Sequence, residues 1–270
     1  MIGTQSIVSI ILCGLLSIAI PVAAVIFFKK KYKGSSIISA FIGAATFVVF
    51  ALVLEQVLHF FMLPLVTGST VAYVIYGTLA AGVFEETGRF VACKTLMKKR
   101  QDNANAVMMG LGHGGIEAIL IIGFSMLSTL VTAVMVNSLG LEAFIQMTGI
   151  TDEAQIELLK AQIDSIAAFS LSMALVNVIE RIIAMTLHVC MSIFVMKAAS
   201  VKGKIWLFPA AILLHAVFDV TPALYQRQVI TSQWLVELII AAGTAVIVLI
   251  TIKVSKIKQP APEAKTEANV

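Results

Sequence analysis

Charge is scarce in this chain. Asp, Glu, Lys and Arg make up 13% of its 270 residues, against about 25% in an ordinary soluble protein. So few ions cannot cover a water-facing surface, which excludes a soluble globular domain. Cysteine is scarce too. Cys13, Cys93 and Cys190 have no metal-type spacing and read as apolar packing residues. The period-2 alternation of an outer-membrane barrel is missing. No basic stretch precedes the first apolar run, which is long and followed by Lys29, Lys30 and Lys31, so a membrane span is expected there rather than a signal peptide. Leu12 before Cys13 argues against a lipoprotein cleavage site.

Apolar residues are abundant, at 59%, and fall in blocks of roughly 20 or more, the length that crosses about 30 Å of hydrocarbon. The fold class expected is all-α, a polytopic transmembrane helix bundle of about seven spans, near 5–28, 36–60, 70–93, 105–136, 167–196, 205–224 and 233–252. The fourth and fifth exceed what a perpendicular helix needs, so tilt or a break is expected. Fifteen of the 19 Lys and Arg lie in alternate loops and the tail, at 29–33, 94–100, 197–204 and 253–265. The positive-inside rule then puts the N-terminus outside and the C-terminus in the cytoplasm. This describes a multi-pass protein of the cell membrane whose first partner is the lipid bilayer; the net charge of +4 needs no nucleic acid to explain it. Residues 1–257 read as one transmembrane domain and 258–270, polar and rich in Pro and Ala, as a disordered tail. In the loop at 140–166, Thr151 is the expected cap of a helix with Asp152 and Glu153 in its first turn and Ile156, Leu159 and Ile163 on one apolar stripe.

Several ionisable residues lie inside predicted spans: Glu85, Glu86, Arg89, His113, Glu117, Glu180, Arg181, His188, His215 and Asp219. Each costs roughly 2.5–3.5 kcal/mol at mid-membrane on insertion scales, so such groups pair, line a cavity or carry function. Counted from the loops at 1.5 Å per residue, Glu85, His113, His188 and His215 all lie about 12–17 Å from the cytoplasmic boundary. Four helices thus bring polar groups to one slab. Glu85 and Arg89, His113 and Glu117, and His215 and Asp219 are i,i+4 pairs on common faces. Glu85 and Glu86 point about 100° apart, which predicts different roles, one toward a cavity and one toward Arg89 or a neighbouring helix. Gly110, Gly112, Gly114 and Gly115 surround His113, which predicts close helix packing, backbone access beside a reactive histidine, or both. His59 with Glu55 reads as an interfacial pair, and Glu180 with Arg181 as a buried pair in the wall.

These motifs carry a resemblance. Glu-Glu-x-x-Arg at 85–89, Gly-x-Gly-His-Gly-Gly-x-Glu at 110–117, a lone histidine in span five and His-x-x-x-Asp at 215–219 resemble the YhfC family of intramembrane metalloproteases. That family is grouped with the CPBP proteins, the CAAX-processing and bacteriocin-processing membrane proteases. The broader CPBP pattern differs in three places. Its arginine comes one residue later than Arg89, it has Phe where Met109 stands, and it often has Asn where Asp219 stands. CAAX specificity is therefore not carried across. The resemblance implies hydrolysis of a membrane protein or peptide substrate by an activated water, with Glu85, Glu86, Arg89, His113, His215 and Asp219 as the catalytic set. Two chemistries fit. In one, His113, His188 and His215 hold Zn²⁺ with Glu85 or Glu86 as general base. In the other, Glu85 acts without metal and His113 and His215 stabilise the oxyanion. The HExxH zinc signature is absent. A proton-coupled transporter and a non-catalytic scaffold derived from a protease are the rival readings; no inverted repeat supports the first.

Overall fold

A computed structural model describes residues 1–258; the tail expected to be disordered lies, apart from Lys258, outside the described residues. Among the described residues nine helices follow one another: α1 Thr4–Lys31, α2 Ile37–Val66, α3 Thr70–Lys94, α4 Asn103–Leu139, α5 Leu141–Thr148, α6 Glu153–Ala167, α7 Leu171–Ser200, α8 Leu207–Gln226 and α9 Gln233–Ser255. There is no strand among the described residues. Six of these helices (α1, α2, α4, α7, α8 and α9) are long and apolar enough to cross a membrane. The remaining predicted span, α3, has 25 residues, enough length to cross. Glu85, Glu86 and Arg89 are what lower its apolarity.

Two helices contain wide, π-type turns. In α4 these occupy Ile119–Gly123, the break expected from its length. In α2 they occupy the nine residues Phe47–Glu55, where nothing in the sequence announced them. Such turns inside helices frequently mark functional sites.

Packing divides the chain into two compact units, Met1–Ala23 with Gly115–Ile182, and Ala24–Gly114 with Ile183–Val270. In the first, Ile10, Cys13, Phe169, Ala174 and Val178 form one apolar core and Ile2, Ala133, Val136, Phe144 and Ile163 another. The loop helix α6 starts at Asp152, whose carboxylate accepts from the Gln155 N–H at 2.9 Å. Asp152 thus takes the cap expected of Thr151. Its carboxylate meets the dipole of the first turn, which a hydroxyl does not.

The second unit is where the polar slab lies. Its core is rich in methionine, with Met97, Met109, Met191 and Met196 fully buried beside Leu207 and Ala211. Unbranched thioethers fill the irregular space between helices that approach closely. Asn105 ties the start of α4 to the start of α2, accepting from Ser36 N–H at 2.9 Å and Ser39 Oγ at 2.7 Å. Further along, the two backbones touch. A Cβ built on Gly112 would stand 1.9 Å from Ala40 O, and one built on Gly43 would stand 2.0 Å from Met109 O. Only glycine permits this approach, which fixes the position of His113.

Gly112→Ala and Gly43→Ala are therefore expected to push α2 and α4 apart, each destabilising by about 1–3 kcal/mol or more. Gly77→Ala, with no atom within 4 Å of its Cβ, is expected to be neutral or to stabilise by up to about 1 kcal/mol. Thermal unfolding in detergent, followed by size-exclusion chromatography, checks the contrast; equal midpoints for all three variants would contradict it.

Candidate functional site

Glu85, Glu86 and Arg89 lie on one stretch of α3, His113 on α4, His188 on α7, and His215 with Asp219 on α8. All belong to the second unit. The structure brings them together. Glu86, Arg89 and His113 have no exposed surface, and Glu85, His188 and His215 are each less than one-tenth exposed. Asp219 is the most open, its side chain 35% exposed.

One oxygen sits at the centre. Glu85 Oε2 lies 2.9 Å from His113 Nε2, 3.3 Å from Arg89 Nη2, 3.8 Å from His215 Nε2 and 3.9 Å from His188 Nδ1. Arg89 holds this arrangement in place. It donates to Glu86 Oε1 through Nη1 and, through Nη2, to Glu85 Oε2 and to His188 Nδ1, the last at 2.7 Å. The arginine therefore grips both carboxylates and an imidazole. The expected division, in which only one glutamate pairs with Arg89, is replaced by a shared guanidinium. The two glutamates do differ beyond it. Glu85 reaches His113, and Glu86 accepts from His215 Nδ1 at 2.6 Å.

The hydrogen-bond partners fix the imidazole tautomers. Thr46 Oγ1 donates its proton to Gly43 O at 2.6 Å, so toward His113 Nδ1, 3.0 Å away, it accepts. His113 therefore carries hydrogen on Nδ1 and turns an Nε2 lone pair toward the Glu85 carboxylate. Two lone pairs 2.9 Å apart need a proton or a cation between them. His188 Nδ1 accepts from Arg89. His215, with its Nδ1–H bound by Glu86, presents Nε2 toward Asp219 Oδ2 at 3.5 Å.

Whether these residues suit a metal can be judged from the donor set. Glu85, His113 and His188 offer ligand atoms that all lie within 4.8 Å of one another, and all three are buried. The buried fixed charges of the site, the carboxylates of Glu85 and Glu86 and the Arg89 guanidinium, leave its interior one unit negative with neutral histidines, even before the more open Asp219 is counted, a state that burial disfavours unless a cation balances it. Glu86 Oε2 and Arg89 Nε are buried with no hydrogen-bond partner. Carboxylate and imidazole are ordinary ligands for Zn²⁺. Binding at His188 Nδ1 exchanges the Arg89 donor for the ion. The donor set is thus compatible with a metal. It contains Glu85 where the sequence pointed to His215, which stands beside the group with Nδ1 committed to Glu86.

Other expected pairs fall elsewhere. Glu117 does not serve His113; it binds Arg181 Nη1 at 2.7 Å, within the first unit, where Arg181 also grips Glu180. His59 and Glu55 form the expected pair at 3.3 Å. Gly110 and Gly114 bring α4 against α7, where a Cβ on Gly110 would meet Val189 Cα at 2.4 Å. Thr46, which hydrogen-bonds His113, is the residue of the candidate site that pattern reading missed. A lone threonine in an apolar span carries no signal of its own, and only the wide turns that begin at Phe47 mark the place.

Residues 16–240 match the model of a family described as YhfC intramembrane metalloprotease. The chain is 35% identical over 265 residues, covering 96% of this chain and all of the relative, to a protein of Bacillus subtilis (strain 168) described as uncharacterized membrane protein YhfC. No solved structure matches. The motifs, their convergence and the match over most of the length agree, and the chain belongs to the YhfC intramembrane metalloprotease family.

Proposed function

We propose that the protein hydrolyses peptide bonds of membrane-embedded or membrane-associated substrates with an activated water and a metal ion. The observation that carries this is the single carboxylate oxygen of Glu85 facing three imidazoles from three helices. Glu85, His113 and His188 would hold the ion, with Zn²⁺ the candidate. When bound, Zn²⁺ supplies a Lewis acid that polarises the scissile carbonyl and lets water ionise near pH 7.

The chain's own groups supply the rest. Glu86 fixes His215 by accepting its Nδ1–H, the orienting role a buried carboxylate plays beside a catalytic imidazole. The Nε2 of His215 then faces the open side of the site, next to Asp219. There it accepts the proton of the attacking water and returns it to the leaving amine, general base and then general acid. Asp219 stabilises the imidazolium formed between those steps. Arg89 sets the spacing of the two glutamates, and Thr46 keeps His113 in the tautomer whose Nε2 is free to ligate. In this reading Glu85 and His215 exchange the roles that sequence pattern alone suggested. Glu85 belongs with the ligands, and His215 moves the proton.

Metal content separates the two assignments. Purified wild type is expected to hold about one equivalent of zinc. Glu85→Gln and His113→Ala are expected to lower this sharply, and Thr46→Val to weaken affinity by about 10–100-fold. Elemental analysis after dialysis checks each value. Near-zero metal in the wild type, with hydrolysis retained in chelator, would return Glu85 to the role of base.

His215→Gln and Glu86→Gln are expected to keep their metal and lose hydrolysis by about 10²–10⁴. The assay screens a panel of membrane peptides and host membrane proteins for cleavage by wild type. Each variant is then measured on whatever is cut, with folding judged by monodispersity. A folded His215→Gln variant that cleaves at the wild-type rate would remove His215 from proton transfer.

A further inference from the structure

Outside the metal group, a second polar constellation lies in the same unit. A cavity of about 300 Å³ is lined by Glu55, His59, Tyr73, Thr78, Asp219 and Gln226 among others, a size at the lower edge of known ligand pockets. Its residues come from the end of α2, the start of α3 and the end of α8, the ends remote from the lysine-bearing loops. Asp219 joins it to the site, because the same carboxylate lies 3.5 Å from His215 Nε2.

Two carboxyl groups, those of Glu55 and Asp219, are among the lining residues. Glu55 is buried although its carboxylate faces this cavity. Its partner is His59, at 3.3 Å through Nε2. The other ring nitrogen of His59 is 2.7 Å from the Tyr76 hydroxyl. When Tyr76 donates to Nδ1, Nε2 carries the hydrogen toward Glu55 and the imidazole is neutral. Asp219 is the second carboxylate, and neither Lys nor Arg lines the cavity. The ring of Tyr73 forms part of the wall, its hydroxyl held by Gln226 Oε1 at 3.0 Å. Arg227 places its guanidinium 5.1 Å from the centre of that ring, a cation–π contact at the edge of the cavity.

We infer that this cavity is a specificity pocket that seats a basic side chain, Arg or Lys, of the substrate next to the bond to be cut. The inference rests on the proposed peptidase function. Two carboxylates and an aromatic face in a low-dielectric wall recognise a guanidinium or ammonium through charge-assisted hydrogen bonds and cation–π attraction. A neutral side chain of equal shape gains neither. Asp219 then serves both places. It stabilises the His215 imidazolium and marks where the pocket meets the reacting bond, which positions the substrate by its cation.

The test measures binding with cleavage disabled. The full chain carrying Glu85→Gln is placed in lipid nanodiscs and titrated against two fluorescent transmembrane peptides of roughly 20 apolar residues. They are identical except for one Arg or one citrulline, its neutral isostere, near the end that faces the pocket. The Arg peptide is expected to bind about ten-fold more tightly. Adding Glu55→Gln is expected to reduce the ratio to about two-fold or less. Should that variant not remain monodisperse, Tyr73→Leu is read in its place, with a reduction of about three-fold expected from loss of the aromatic face. Equal affinity for the two peptides, including no binding of either, overturns the inference, as does a ratio unmoved by the pocket variant. Because no cleavage is needed, a wild type that never hydrolyses any peptide while the ratio persists would sink the peptidase reading and leave the pocket. Cleavage with a ratio of one would do the reverse.

Discussion

The arrangement depends on one buried guanidinium. Arg89 has no exposed surface and contacts Glu85, Glu86 and His188. Two adjacent carboxylates without it would repel each other in a medium that screens little. One of them would have to stay neutral. With Arg89 between them, both remain available, one toward α4 and one toward α8. Removing one partner of such a buried set typically costs about 3–5 kcal/mol, because the remaining charges are left uncompensated. The folding of the second unit and the chemistry of its site therefore draw on the same contacts.

A division of labour follows from geometry rather than from residue type. Three histidines look alike in a sequence, yet their second nitrogens have different partners. A threonine oxygen holds His113, a guanidinium holds His188 and a carboxylate holds His215. Thr46 and Glu86 place the protons of His113 and His215 on Nδ1, whereas Arg89 leaves that of His188 on Nε2. His113 is left with a ligand lone pair, His215 with an orienting anion behind it, and His188 in contact with the arginine that also steadies the glutamates. The i,i+4 companion of His215 lines the cavity, so in the proposed mechanism the end of the site that moves the proton is also the open end.

Much of this was legible in the sequence. The apolar blocks gave the helices, because in lipid every backbone polar group must be satisfied internally and length alone sets a span. Counting along each helix from the lysine-bearing loops put Glu85, His113, His188 and His215 at one level, and their side chains do meet, because a helix rises by a constant step. The glycines around His113 indicated close packing for the same kind of local reason. What failed to show was lateral. Spacing of i,i+4 placed Glu117 beside His113 on one helix but could not reveal that Arg181 lies nearer. Nor could it reveal Thr46 behind His113, or the closeness of Glu85 to His113 and His188. Such choices depend on which neighbouring helix lies across the gap, and periodicity along one helix does not contain that information. The wide turns of α2 are of the same kind, since the residues Phe47–Glu55 read as ordinary apolar helix.

The contact between α2 and α4 has a mechanical consequence. Where Gly43 meets Met109 O and Gly112 meets Ala40 O, main chain rests on main chain with no side-chain layer between. Side chains can change rotamer and let two helices breathe; peptide planes cannot. This junction behaves as a rigid bearing, able to transmit a push along its length but not to open. If a polypeptide is to reach His113, as the proposed peptidase function requires, the seam that yields is another one of the second unit. The helices free to yield are those whose mutual contact runs through flexible side chains, among them the methionines packed around α7.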